Sequence, residues 1–424
     1  MNEEIKKCRS CGSIKLKEII SLGNHYVSNF VESDIEEGIR VPLNLILCDE
    51  EEGGCGLLQL KHNAPPESMW GEQYWYKSGI NPTIRADLKN IVNNVEKMIR
   101  FDEGDIVIDI GCNDGTMLSY YSIPGLSYAG FEPSDNVAKE ASEKGFNIIN
   151  NFFNKESYQE VFGNKKAKVI TAISMFYDLE DPNQFLEDIN DCLDDSGLLV
   201  IQQNYLITML QNNGLDNICH EHRKYYSFRS LKKLLQKHNL EIFDVALNNI
   251  NGGSIRTYIR KKRSGINPRY YCEDRLNYLE KKELEWGLHT SKPYLDFASR
   301  VNGVKEKIMN FMRGEKLKGK IICACGASTK GNTTLQYFGI GPELITCIEE
   351  KNPDKFGKKT IGTLIPISSP EDTSKQNPDY LLVLIWYFLE DIKRNQKEFL
   401  EKGGKLIVPL PVPKLITKDG EYYL

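Results

Sequence analysis

"DIVIDIGCNDGTMLSYY", residues 105–121, decides the fold. Ile106, Val107, Ile108 and Ile110 form a short apolar run with the composition of a buried strand, and Asp109 sits where that strand ends. Gly111 and Gly115 follow, and apolar positions after them predict a helix. A strand, a glycine turn and a helix in this order make a nucleotide-type unit. The glycines let the backbone pass close to a ligand, and the free N–H groups at the helix start face it. The spacing is G-x-x-x-G, which differs from the G-x-G-x-x-G of dinucleotide folds.

Downstream, "LSYAGFEPS" (126–134) reads as a second strand ending in Glu132, about 20 residues on, where an acid takes ribose hydroxyls in sheets of this kind. The rhythm continues through "KVITAISMFYDLEDPNQFLEDINDCLDDSGLLVIQQNY" (168–205), with a strand ending at Ser174, a helix, Gly197 and a further strand. Alternating β and α segments predict a parallel, doubly wound sheet. Ligands of such sheets lie beyond the carboxyl ends of the strands, so Asp109, Glu132, the Ser174 turn and the segment from Asn204 onward should share one cleft. Asp109, Gly111, Asn113, Asp114, Gly115 and Glu132, with Ser174, resemble the cofactor site of class I S-adenosylmethionine-dependent methyltransferases.

Upstream, "CRSCG" (8–12) is a C-x-x-C knuckle, and Cys48 and Cys55 form a second, looser pair in "CDEEEGGCGLLQL". Cys8, Cys11, Cys48 and Cys55 can close a tetrahedral zinc site; with all four positions filled by protein, the zinc is structural. Gly12 and Gly56 follow cysteines where such turns need an unhindered backbone. A boundary near residue 76 separates this region from a helix carrying Ile84, Leu88, Ile91, Val95 and Met98 at helical spacing.

The last third repeats the α/β pattern. "KGKIICACGASTKGNTTLQYFG" (318–339) predicts a strand, a small-residue turn and a helix, with Ser328 and Lys330 placed either to meet a phosphate or in an ordinary tight connection. It lacks the P-loop order. "LITCIEE", "YLLVLIW" and "KLIVPLP" supply further strands. In "INGGSIRTYIR" (250–260), Ser254 and Arg256 either reach the cleft or lie on a solvated strand face. The soft stretch "KKRSGINPRYYCEDR" (261–275) is the expected join between the middle and last units. The fold class is therefore α/β, with a zinc-binding domain over 1–76, a Rossmann-like methyltransferase domain over 77–265 and a Rossmann-like α/β domain over 266–424.

"DNICHEHRKYYSF" (216–228) places His220, Glu221 and His222 together in a chain with six histidines. Three readings compete: a metal site, which lacks an evident third or fourth ligand; a hydrogen-bonded loop histidine; and an acid/base pair, since histidine titrates near neutrality and Glu221 can orient or charge a ring.

Read in order, "CRSCG"/"CGLLQL", "YWYKSG", "DIGCNDGT", "HEH", "NGGSIRTY", "GASTKGNTTLQYFG", "KNPDKFGKKTIGTLIPI" and "VLIWYF" resemble, from end to end, the sugar C-methyltransferases that methylate C3 of nucleotide-linked 4-keto-6-deoxyhexoses. The resemblance implies a zinc domain, a methyltransferase domain that binds S-adenosylmethionine, and a C-terminal domain that helps clamp the sugar nucleotide, dTDP- or GDP-linked. It implies His222 as base, Glu221 beside it and Tyr76 near the sugar; Tyr76 and His220 are next in line as base if His222 is not. Tyr74, Asn204, Ser254, Arg256, Ser328 and Lys330 are the expected substrate contacts. Two places depart from the family pattern: Cys219 where a Tyr is common, and the "SMFYDLED" turn, where an Asn and a His are common at Ser174 and Asp178. Both fall in the expected sugar pocket, so methylation of oxygen or nitrogen on another acceptor is the enzymatic rival. A non-catalytic nucleotide-binding sensor or scaffold is the rival of another class.

The totals agree with a multidomain cytoplasmic enzyme. The chain has 424 residues, 40% hydrophobic and 27% charged, with a formal charge of −5, which gives no bulk attraction to nucleic acid. No apolar run approaches the roughly 20 residues of a membrane span. Eleven cysteines in a chain without a signal core suggest reduced thiols and one metal cluster in place of a disulfide framework. The oligomeric state stays open, and a monomer is compatible.

Overall fold

The computed structural model describes residues 3–32, 38–262 and 272–424. The expected join over 261–275, with the 265/266 division inside it, lies largely outside the described residues. Three main sheets organise the chain.

The first is a four-stranded antiparallel sheet in the order Lys224–Tyr225, Leu58–Leu60, Arg40–Cys48, Leu16–Tyr26. Its edge strand comes from residues just after the HEH stretch, so the HEH segment is stitched to the zinc region by backbone pairing. The second sheet has seven strands: Leu240–Asn248, Ser254–Lys261, Leu193–Asn204, Ala167–Ile173, Ile106–Ile110, Ser127–Phe131 and Asn147–Ile149. The last five run parallel, and Ser254–Lys261 runs against both of its neighbours. The third sheet is also seven-stranded, with a parallel part from Ile367–Ser368 through Ile348–Glu349, Ile322–Cys325 and Tyr380–Val383 to Lys405–Val408, then an antiparallel hairpin.

Ile106–Ile110 is buried along its whole length, as expected of a parallel strand covered on both faces. The helix Pro82–Met98 starts where Asn81 accepts backbone N–H bonds from Thr83 and Ile84 and Pro82 occupies the first turn, and it buries Ile84, Leu88, Ile91, Val92 and Val95. The helix expected after Gly115 does not form. A single 3₁₀ turn, Leu118–Tyr120, takes its place, because Pro124 and Gly125 follow within a turn and turn the chain into the next strand. The donors around the cofactor site therefore come from a loop. Among the described residues no helix is long and apolar enough to cross a membrane.

Candidate active site

Four thiols gather at the edge of the first sheet. Cys8 and Cys55 Sγ are 3.6 Å apart, Cys11 and Cys48 Sγ 3.5 Å, and all four lie within 4.8 Å of one another. The edge of a tetrahedron with Zn–S bonds of about 2.3 Å is about 3.8 Å, so the donors fit zinc. Gly12 and Gly56 adopt positive φ, +75° and +82°, and a Cβ on Gly56 would stand 2.3 Å from Glu50 Oε1. The knuckle geometry thus requires glycine there.

The second sheet opens into a cavity of about 320 Å³ beyond the carboxyl ends of its parallel strands, lined by Asp109, Gly111, Asn113, Glu132, Ser174 and Gln202 among others. Glu132 accepts the backbone N–H groups of Asn113 at 3.0 Å and Ser134 at 2.9 Å. Burial raises its carboxyl, and those hydrogen bonds oppose the rise. Asp109 accepts from the Thr171 hydroxyl at 2.8 Å, and burial pushes its carboxyl up to about 7. Ser174 lies at φ 56°, an uncommon backbone state held where its N–H meets the Gln202 carbonyl at 2.7 Å.

A strap from the aromatic segment closes one side. Ser78 N–H donates to Asn113 Oδ1 at 2.9 Å, and Asn113 Nδ2 donates back to the Tyr76 carbonyl at 3.0 Å. Asn136 bonds both backbone groups of Tyr74. Tyr74 and Tyr76 both line the cavity.

Asp114 and Gly115 are placed away from the cavity, contrary to expectation. Asp114 accepts from Gly79 N–H at 2.9 Å and from the Thr116 hydroxyl at 2.6 Å, so it fastens the strap. Gly115 packs where a Cβ would meet the Phe146 ring at 2.8 Å.

The HEH stretch forms a turn, with His222 N–H donating to the Cys219 carbonyl at 3.1 Å, and the two histidines part company there. His220 Nε2 meets the Val41 carbonyl at 2.9 Å inside the first sheet, where burial lowers it to about 4. It is a packed, hydrogen-bonded histidine and is not part of the cleft. His222 Nδ1 meets the Asn217 carbonyl at 3.0 Å, which fixes the proton on Nδ1 and leaves the Nε2 lone pair available. Burial, with Lys330 adding to it, lowers this imidazole to about 3, so it is neutral at pH 7. Its ring centroid is 4.4 Å from that of Tyr177, and it lines a much smaller cavity of about 10 Å³ with Asn204 and Lys224.

Glu221 accepts from the Thr329 hydroxyl at 3.3 Å, and burial pushes it up to about 7, against the pull of Thr329 and Lys330. Asp178 lines the main cavity with Oδ1 unpartnered, and burial and Glu221 hold its carboxyl well above the usual range. Donor atoms of Cys219, Glu221 and His222 lie within 4.8 Å of one another, but the Lys330 ammonium acts on all three, which disfavours a cation among them.

Other expected contacts do different work. Arg256 spends its guanidinium on Gln202 (2.8 Å), Asn90 (2.9 Å) and Asp87 (2.8 Å), a buried frame behind the cleft. Ser254 donates to the Ile250 carbonyl, and Ser328 caps the helix Thr329–Phe338 by accepting from Gly331 N–H. Asn204 donates to Asn217 Oδ1, which also accepts from Lys330 Nζ at 2.7 Å. Asp87, Gln202, Trp70, Phe152 and Arg223 line the cavity without having been expected there. Gln202, a polar residue near the end of an apolar run, carried the one signal that could have found them.

Comparison with known proteins completes the picture. Residues 249–411 match the family model for the C-methyltransferase C-terminal domain, 84–245 a methyltransferase domain, and 8–70 a zinc-binding domain. The C-methyltransferase NovU of Streptomyces niveus is 30% identical over 420 residues, 98% of each chain. The chain belongs to the C-methyltransferase family.

Among solved structures it is similar to the plantazolicin methyltransferase BpumL in complex with SAH, at 15% identity and TM-score 0.36, over 44% of this chain and 86% of that one. The mitomycin 7-O-methyltransferase MmcR gives 17% identity and TM-score 0.33, over 43% and 59%. By its family models and sheet topology this C-methyltransferase is S-adenosylmethionine-dependent, with a Rossmann-like methyltransferase fold and a zinc-binding N-terminal region. The sulfonium of the bound cofactor supplies an electrophilic methyl group.

Proposed function

We propose that this C-methyltransferase methylates C3 of a dTDP- or GDP-linked 4-keto-6-deoxyhexose, in the biosynthesis of an unusual deoxysugar. Asp109, Gly111, Asn113, Glu132 and Ser174 hold the cofactor; Tyr74 and Tyr76 border the acceptor. His222 takes the proton from the carbon next to the ketone, and Glu221 pairs with the imidazolium that results. The observation that carries this is the His222 tautomer. With Nδ1 tied to a backbone carbonyl, Nε2 carries the lone pair that can take a proton. The Glu221 carboxyl, with a donor atom within 4.8 Å, offsets the burial that disfavours the imidazolium. A positioned base contributes on the order of 10²- to 10⁴-fold. The end-to-end likeness to a C-methyltransferase supports carbon over oxygen as the acceptor. Reduced thiols, at the zinc site and elsewhere, suit a cytoplasmic location.

The test is incubation with S-adenosylmethionine and dTDP-, GDP- and CDP-linked 4-keto-6-deoxyglucose in D₂O, with products read by mass spectrometry and NMR. One added methyl on C3, with loss of the carbon-bound hydrogen, is the expected result. A methyl on oxygen, or no product from any of the sugars, overturns the proposal.

A further inference from the structure

Removing a proton beside a ketone places negative charge on the ketone oxygen, and that charge needs a donor. In sites of this kind the donor is often the larger contribution to rate. Neither HEH neighbour supplies one well. Cys219 offers a weak S–H donor on a fully buried thiol that burial holds in its protonated form. Asp178 and Glu221 are carboxyls.

The third unit brings a cation to this place. Thr329 and Lys330 open the helix Thr329–Phe338, whose first residue bonds Glu221. Lys330 Nζ sits 2.7 Å from Asn217 Oδ1 and 4.8 Å from the centroid of the Tyr387 ring. Burial lowers the Lys330 ammonium, and Asp216, Cys219, Glu221 and Asp178 oppose that lowering. Asp216 is itself fully buried, with Oδ2 accepting from Trp386 and Oδ1 unpartnered. Three carboxyls make this a poor place for the diphosphate of a sugar nucleotide. Burial raises each of these carboxyls, so they offset the lysine's charge only in part and leave its N–H groups able to meet a single oxyanion that forms beside it. The positive end of the Thr329–Phe338 helix adds to the same field.

We propose that Lys330 is a catalytic residue that donates a hydrogen bond to the acceptor's ketone oxygen and stabilises the enolate. This deepens the 4-keto-sugar function proposed above and rests on it. The C3–H bond breaks and its proton passes to His222 Nε2; the electron pair forms the C3=C4 bond, and the charge moves to the oxygen held by Lys330. The enolate carbon then takes the methyl group, the C–S bond breaks with its electrons going to sulfur, and the C4 carbonyl is restored. The middle unit thus provides the base and the methyl-donor site, and the C-terminal unit provides the donor that stabilises the enolate oxygen.

The test is hydrogen exchange at C3. The full-length zinc-loaded enzyme, saturated with S-adenosylhomocysteine so that no methyl is transferred, is mixed with dTDP-, GDP- and CDP-linked 4-keto-6-deoxyglucose in D₂O, and deuterium wash-in is followed by NMR. K330M is expected to lose exchange and kcat by roughly 10²- to 10³-fold. Its affinity for S-adenosylmethionine should stay within twofold, which also establishes that the variant folds. K330Q keeps a donor for Asn217 without the charge, and should lose exchange to a similar degree; K330R should recover part of it. Exchange within threefold of the parent in K330Q overturns the role, because Lys330 then only holds Asn217. Absence of exchange in the parent enzyme overturns the keto-sugar function and this role together, whereas exchange in the parent that survives in K330M overturns Lys330 alone.

Discussion

Leu60 donates its backbone N–H to the carbonyl of Arg223 at 2.9 Å, joining the sheet that carries the zinc ligands to the residue directly after His222. The tie is reinforced by the Lys224↔Gln59 and Tyr225↔Leu58 pairs and by Arg223 donating to the Ala64 carbonyl at 2.9 Å. On the far side, Lys233 and Lys237 of the helix Phe228–Lys237 reach the carbonyls of Cys55 and Ser10 in the zinc loops. The chain that follows His222 is therefore held to the metal region twice, at Arg223–Tyr225 and again at Lys233 and Lys237.

Zinc should consequently control the acceptor side more than the methyl-donor side. Stripping the metal with a chelator, or C48S, is expected to lower turnover roughly 10²-fold, because displacement of a reacting group by about 1 Å costs that much. Calorimetry should show S-adenosylmethionine affinity changed by less than about tenfold, since Asp109 and Glu132 belong to the second sheet. Amides of residues 222–226 should exchange faster in the stripped protein. Equal loss of cofactor binding and turnover would show that the zinc region supports the whole cleft.

The pH profile should report Glu221. Burial raises its carboxyl from the ordinary 4.5 to about 7, so between those values the folded chain holds more protons than the unfolded one. Its contribution to stability is thus fully present below about 4.5 and is lost as pH rises through about 7. Activity runs the other way: if the carboxylate must pair with the imidazolium, kcat/KM for the acceptor rises through about pH 7. His222, lowered to about 3, adds no inflection near neutrality. E221Q should flatten the rise. An inflection that persists in E221Q belongs to another group, and Asp109, also raised to about 7, is the next to replace.

Arg256 and Asp87 give a prediction about stability. Arg256 is buried and Asp87 stands partly exposed on the cavity wall; they meet at 2.8 Å, with Gln202 and Asn90 completing the guanidinium's bonds. R256M removes the cation beside Asp87, which still accepts from Gln202 Nε2 at 2.6 Å, and the loss is about 1.5–3 kcal/mol. Thermal unfolding should show a lower midpoint. D87N/R256M should recover a substantial part of the loss, because no unpaired charge remains. A double variant no better than R256M would mean that Arg256 acts through packing and not through charge.

The parts of the molecule written in local pattern were legible in the sequence. Asp109 and Glu132 end apolar strands, where parallel sheets collect ligands, and both line the cavity. The C-x-x-C knuckle and its distant pair meet because short spacing and positive-φ glycines let thiols converge. What depended on the packing of one unit against another was not legible. Lys330 read as a phosphate contact from its glycine-rich neighbourhood, yet it points at the HEH segment of a different unit. Arg256 read as a cleft or solvent residue because strand alternation does not say that Asp87, on a preceding helix, stands opposite. The helix expected after Gly115 was cut short by Pro124, and Asp114 went to the strap.

The two histidines of the HEH stretch show the same limit and carry the last prediction. Residues i and i+2 of a strand share a face, which would send His220 and His222 to one place. The Cys219–His222 turn separates them: one ring meets Val41 of the first sheet, the other meets Asn217 beside Tyr177. H222Q should therefore retain S-adenosylmethionine affinity and lose turnover by about 10²- to 10⁴-fold. H220Q should lower the unfolding midpoint, by removal of a buried hydrogen bond of about 1 kcal/mol, while kcat of the folded fraction stays within a fewfold. Steady-state kinetics with parallel thermal unfolding distinguishes the two outcomes. A turnover loss in H220Q equal to that in H222Q, at unchanged midpoint, would place catalysis at the wrong histidine.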